Sequence, residues 1–129
     1  MKARLLVIDD EAMVRDSMVA YLEDSGYQVV AVDSGRSGLE ILEQQQIDLI
    51  LCDLRMPTLD GIEVLRQVKE RADNIPVIVV SGAGVMDDVV QALRLGASDY
   101  LVKPILDMAV LEHSVQRNLA LVALEKQNQ

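Results

Sequence analysis

The sequence predicts a doubly wound α/β fold, an open parallel sheet of five strands with five helices packed on it. Two observations carry this reading. Short apolar runs alternate with segments of helical period, the pattern of successive βαβ units. Four of the runs also end on chemistry-bearing side chains. Leu5-Leu6-Val7-Ile8 runs into Asp9 and Asp10, Ile47 to Cys52 into Asp53, Val77-Ile78-Val79-Val80 into Ser81, and Tyr100-Leu101-Val102 into Lys103. The carboxyl ends of strands in an open parallel sheet share one crevice, where ligands bind. These side chains are therefore expected to meet in space.

The elements follow in order. A strand at about 4–8 leads into a helix at about 12–24, closed by Gly26, which suits a left-handed C-cap. The second strand, about 28–32, reads Gln28-Val29-Val30-Ala31-Val32 and fits an edge. Asp33 or Ser34 can cap the helix at about 36–45. The third strand, about 48–52, is apolar on both faces and belongs in the centre; Asp60 caps the helix at about 60–71. Pro76 opens the fourth strand, about 76–80, at a position where a missing N–H is tolerated. Asp87 and Asp88 favour the dipole of the helix at about 86–95, and Gly96 closes it. A fifth strand at about 99–102 leads to a last helix at about 106–124, where Leu111, Val115, Leu119 and Val122 form an apolar stripe. Residues 1–122 read as one domain, and 123–129 as the end of the last helix and the start of a linker or tail.

Composition narrows the function. The chain has 129 residues, is half apolar and carries a formal charge of -9, which argues against nucleic-acid binding by this domain because phosphate contacts need Lys and Arg. No stretch approaches the roughly 18 apolar residues of a membrane span, and no signal peptide is evident. The single Cys52 sits within an apolar strand and fits a reducing, cytoplasmic setting. His113 stands alone on a polar helix and reads as surface.

The converging groups suggest phosphate chemistry. Clustered carboxylates repel one another and raise their own pKa values. A hard cation such as Mg²⁺ relieves this, and Mg²⁺ held by few carboxylates commonly serves a phosphate. Lys103 supplies a compact positive charge and Ser81 a short hydroxyl. Phosphoryl transfer asks for this kind of positioning and charge neutralisation. No P-loop is present, and Gly82-Ala83-Gly84 is a weak nucleotide signal. Asp53 is then the side chain placed to act as nucleophile. Asp9, Asp10 and Glu11 also read as helix-capping acids, with one of the three capping and Asp10 favoured over Asp9 as a metal ligand.

From Leu5 to about Leu121 the chain resembles the receiver domains of two-component response regulators. The resemblance rests on Val7-Ile8-Asp9-Asp10-Glu11, on Asp53-Leu54-Arg55-Met56-Pro57 followed by Gly61, on Val80-Ser81-Gly82, and on Ala92-Leu93-Arg94-Leu95-Gly96-Ala97-Ser98-Asp99-Tyr100-Leu101-Val102-Lys103-Pro104. It implies a flavodoxin-like sheet of order 2-1-3-4-5. It implies Asp53 as phosphoacceptor, and Asp9, Asp10, Asp53 and the Arg55 carbonyl as Mg²⁺ ligands. Ser81 and Lys103 would contact the phosphoryl group, and Tyr100 with Ser81 would form the switch. The Lys103–Pro104 peptide is expected to be cis. A histidine kinase or phosphotransfer protein would donate the phosphoryl group. An output domain or partner would read the face of residues 86–119, with a homodimer as one arrangement. Ser81 to Pro104 also resembles, more loosely, the receiver of RssB-type adaptors.

Other readings fit less well. A Mg²⁺-dependent phosphohydrolase would need an acid close after Asp53, and position 55 is Arg. A binding module that never gains phosphate would be expected to lack one of the acids, Ser81 or Lys103. A flavin carrier would want aromatic residues, which are 2 % of the chain.

Overall fold

The computed structural model describes residues 3–56, 60–71, 73–82 and 86–127. Pro57 of the third-strand motif, Ala83 and Gly84 of the weak glycine motif, and the tail residues Asn128 and Gln129 lie outside them. The described residues alternate strand and helix: β1 Arg4–Ile8, α1 Ala12–Asp24, β2 Gln28–Val32, α2 Gly35–Gln44, β3 Leu49–Asp53, α3 Gly61–Lys69, β4 Val77–Gly82, α4 Met86–Arg94, β5 Asp99–Lys103 and α5 Met108–Gln127.

The sheet is parallel throughout, in the order β2-β1-β3-β4-β5. Every residue of β3 is buried, as its apolar run requires, whereas β2 is partly exposed at its edge position. Successive side chains of a strand point to opposite faces, which divides the core in two. Leu6, Ile8, Ile50, Cys52, Val77 and Val79 pack with Leu42, Val64, Val68, Val89 and Ala92 beneath α2, α3 and α4. Leu5, Val7, Leu49, Leu51, Ile78 and Val80 pack with Met18, Leu22, Leu111 and Val115 beneath α1 and α5.

Local signals explain most boundaries. Gly26 and Gly96 adopt φ of 100° and 111°, the left-handed conformation expected after α1 and α4. Ser34 caps α2, its hydroxyl accepting from the Ser37 N–H, and Asp60 caps α3 by accepting from the Glu63 N–H. The start of α1 departs from expectation. Glu11 occupies the N-cap position without a side-chain cap bond, and Asp9 Oδ1 instead accepts from the Glu11 N–H at 2.9 Å. The last helix begins later and ends later than the sequence suggests. Ala123-Leu124-Glu125-Lys126-Gln127 contains only good helix formers and no stop signal. The Lys103–Pro104 peptide is cis.

Candidate functional site

Strand register brings the predicted groups together. Ile8 pairs with Cys52, so Asp9 and Asp53 leave adjacent strands at the same level. Asp53 lies level with Val80, and Gly82 with Lys103, which sets Ser81 and Lys103 beside the same crevice. On the far side, Gly61 brings α3 onto the end of β3. Its N–H donates to the Leu54 carbonyl at 2.9 Å, and an added Cβ would fall 2.2 Å from the Asp53 carbonyl oxygen.

Asp53 is 4 % exposed and Asp9 fully buried, whereas Asp10 is exposed and lines the cleft outside. Lys103 is the hub. Its Nζ donates to Glu11 Oε1 at 2.8 Å and to Asp53 Oδ2 at 3.1 Å. It also stands 2.9 Å from Asp9 Oδ2, an ion pair without hydrogen-bond alignment, so this buried oxygen accepts no hydrogen bond from the described residues. The other Asp53 oxygen accepts from the Arg55 N–H at 3.2 Å. Arg15 secures the turn by donating to the Asp9 carbonyl at 2.9 Å. Ser81 Oγ is buried without a hydrogen-bond partner among the described residues.

Electrostatics follow from this burial. Desolvation raises the Asp53 pKa above the ordinary carboxylate value, and hydrogen bonds from Lys103 and the Arg55 N–H oppose it only in part. Burial works against the charge on Lys103, but its pairing with Glu11, Asp9 and Asp53 outweighs it and pushes the amine pKa up. Burial also raises the Cys52 thiol, helped by the charges of Asp53 and Asp9, so this cysteine is an inert core residue.

Asp9, Asp10, Glu11 and Asp53 each offer a carboxylate oxygen, and these atoms lie within 4.8 Å of one another. An all-oxygen donor set with an unsatisfied buried oxygen fits a hard divalent cation such as Mg²⁺. A cleft of about 650 Å³ opens beside it, lined by Asp10, Arg55, Met56, Asp60, Asp88 and Gln91 among others. Tyr100 is not in the crevice. It lies on the outer edge strand, 38 % exposed.

Two features escaped the sequence reading. The Arg55 guanidinium pairs with Asp88 of α4 at 2.8 Å across the cleft. Asp99 accepts from Ser114 Oγ at 2.6 Å and pairs with Arg117, which ties β5 to α5. The sequence marks Asp88 only by its place in the first turn of its helix. Nothing in a single sequence marks such partners, since each contact joins residues well apart in the chain.

The profile of the response regulator receiver domain family matches residues 5–116. The chain is similar to the transcriptional regulatory protein ZraR of Escherichia coli, 39 % identical over 116 residues, which are 90 % of this chain and 26 % of ZraR. It spans about a quarter to somewhat over half of the curated relatives it matches. Among solved structures, NtrX from Brucella abortus superposes with a TM-score of 0.93 at 29 % identity, covering 98 % of this chain and 29 % of NtrX. A response regulator receiver domain protein from Clostridium thermocellum superposes with a TM-score of 0.88 at 31 % identity, covering 95 % of this chain and 98 % of the other.

Proposed function

The chain belongs to the response regulator receiver domain family, and from that premise we propose that Asp53 is its phosphoacceptor and that phosphorylation switches the face formed by α4, β5 and α5. One observation carries the assignment. Asp53 is a nearly buried carboxylate that touches Lys103 at 3.1 Å and shares its crevice with three other acids. A histidine kinase or phosphotransfer protein supplies the phosphoryl group. An Asp53 oxygen attacks phosphorus, the new O–P bond forms, and the donor's P–N bond breaks with its electron pair leaving on the imidazole. Lys103 stabilises charge on the transferred group, and Ser81 Oγ, buried without a partner among the described residues, has a donor to offer it. Asp9, Asp10, Asp53 and the Arg55 carbonyl would hold Mg²⁺. When bound, Mg²⁺ neutralises charge on the phosphoryl oxygens.

The output follows from the surface. Val90, Leu93, Tyr100, Val102, Leu106 and Val110 expose apolar area on residues 86–119. A partner, an output domain or a second copy reads this face. Tyr100 reports the state of Ser81 by reorienting as the phosphorylated packing gains population. None of the described helices is long and apolar enough to cross a membrane, which is consistent with a cytoplasmic site of action. The phosphohydrolase reading gains no support, because Arg55 is engaged with Asp88 and offers no acid.

The test is phosphorylation by acetyl phosphate with Mg²⁺, read by intact-protein mass spectrometry. One phosphate should appear on the wild type and none on Asp53→Asn. An adduct that survives the substitution would move the acceptor elsewhere.

A further inference from the structure

Lys103 holds three carboxylates at once, and the three are not equivalent. An ammonium has three N–H donors. One goes to Glu11 Oε1 at 2.8 Å and one to Asp53 Oδ2 at 3.1 Å, while the contact to Asp9 Oδ2 at 2.9 Å is a close ion pair. The Asp9 and Asp53 side chains are 0 % and 5 % exposed, whereas that of Glu11 is 60 % exposed. Glu11 also sits where a helix cap would be expected, yet makes no side-chain cap bond. Its carboxylate reaches instead to a lysine 92 residues away.

We infer that Glu11 is a positioning residue that competes for the Lys103 ammonium before phosphoryl transfer and slows transfer until it lets go. The inference rests on the reading of Asp53 as phosphoacceptor. A phosphoryl group arriving at Asp53 brings up to about two negative charges and three acceptor oxygens. Its oxygens compete for the Lys103 charge with three carboxylates already there, and the ammonium is drawn closer to the new group when one of them lets go. Asp9 and Asp53 sit at strand ends, and withdrawing either would leave a buried charge unpaired, which is costly. Glu11 withdraws into water, where its charge is well solvated and an exposed ion pair is worth little. Glu11 is therefore the partner displaced, and its grip on Lys103 sets part of the barrier. The contact is weak enough to break and strong enough to slow transfer.

The experiment compares wild type, Glu11→Ala and Glu11→Asp at saturating Mg²⁺ with acetyl phosphate as donor. In each transfer the Asp53 O–P bond forms as the acetyl P–O bond breaks, and acetate leaves with the electron pair. Glu11→Ala should accelerate phosphorylation about two- to five-fold, the range an exposed ion pair supports. Glu11→Asp keeps the charge but shortens the reach, so it should accelerate transfer too. Without donor, both variants should shift the Lys103 side-chain ammonium resonance in NMR, a signal that a merely structural role for Glu11 would not move. Rates and resonances equal to wild type overturn the inference. So does Glu11→Asp matching wild type while Glu11→Ala differs, since charge alone would then suffice. Slower transfer with weaker Mg²⁺ binding also overturns it, by making Glu11 a metal ligand. A wild type that takes up no phosphate removes the phosphoacceptor reading and this inference together, whereas a normal wild type with unaltered Glu11 variants removes this inference alone.

Discussion

The Cβ that Gly61 lacks would lie 2.2 Å from the Asp53 carbonyl oxygen, and also 2.7 Å from the Leu54 Cα. The clash is with backbone, so no rotamer change relieves it. The close approach of α3 to the end of β3 therefore depends on glycine, and with it the position of the Asp53 carboxylate.

Gly61→Ala should cost about 1–3 kcal/mol of stability, the usual range for overpacking a tight site. It should also slow phosphorylation, because the end of β3 must shift. At Gly82 an added Cβ meets nothing within 4 Å, so Gly82→Ala is the neutral comparison. Thermal unfolding and acetyl phosphate kinetics of both variants check this. Equal melting temperatures for Gly61→Ala and wild type would mean that the backbone yields freely.

Asp53 should destabilise the protein when ionised. Its folded pKa is raised, chiefly by burial. Stability from this group is therefore fully present below the unfolded carboxylate value of about 3.9 and is lost as pH rises through the folded value. Asp53→Asn should melt higher than wild type at neutral pH, and the gap should close in acid. Mg²⁺ should narrow the gap at neutral pH by stabilising the wild type more. Calorimetry across pH reads both effects. A wild type more stable than Asp53→Asn at neutral pH without metal would contradict the sign.

The strands and the crevice were legible in the sequence because they rest on period and punctuation. Continuous apolar runs give buried parallel strands, and one polar residue after each run marks a strand end. The central place of β3 followed from its two apolar faces. Pairings between distant side chains were less legible. Glu11 looked like part of a helix cap because local spacing is all that a sequence displays. Its partner Lys103 is joined to it by the register of β5, not by any pattern. The choice of Ser34 over Asp33 as the α2 cap was likewise open until the backbone set one hydroxyl against the Ser37 N–H.

Asp99 should fasten β5 to α5. Burial would raise its pKa, but the Ser114 hydroxyl, the Tyr100 N–H and Arg117 outweigh it and hold the carboxyl below its ordinary value. Stability from this group is present above the unfolded pKa of about 3.9 and is lost as pH falls through the folded value. Asp99→Asn should cost about 1.5–3 kcal/mol at neutral pH, the range for hydrogen bonds to a charged group. The difference from wild type should shrink below pH ~4. Chemical denaturation at neutral and acid pH measures it, and a pH-independent loss would assign the effect to packing.

The crevice reaches the surface through β5. Ser81 and Lys103 face the phosphorylation site from β4 and β5, and Tyr100 stands on the same β5, partly exposed. A phosphoryl group that draws on Lys103 and Ser81 therefore acts on the strand that carries Tyr100. Asp99, one residue before it, is tied to Ser114 of α5. A shift of β5 should reach α5 through this tie, and a shift at the end of β3 should reach α4 through the Arg55–Asp88 pair, which spans the cleft at 2.8 Å. Beryllofluoride with Mg²⁺ should change amide hydrogen exchange in α4, β5 and α5, within residues 86–119, while β1 and β2 stay protected. The Asp99→Asn variant should keep the change in β5 and lose part of it in α5. Exchange that alters only beside Asp53 in the wild type would show that the apolar face covers the sheet without reporting the phosphate.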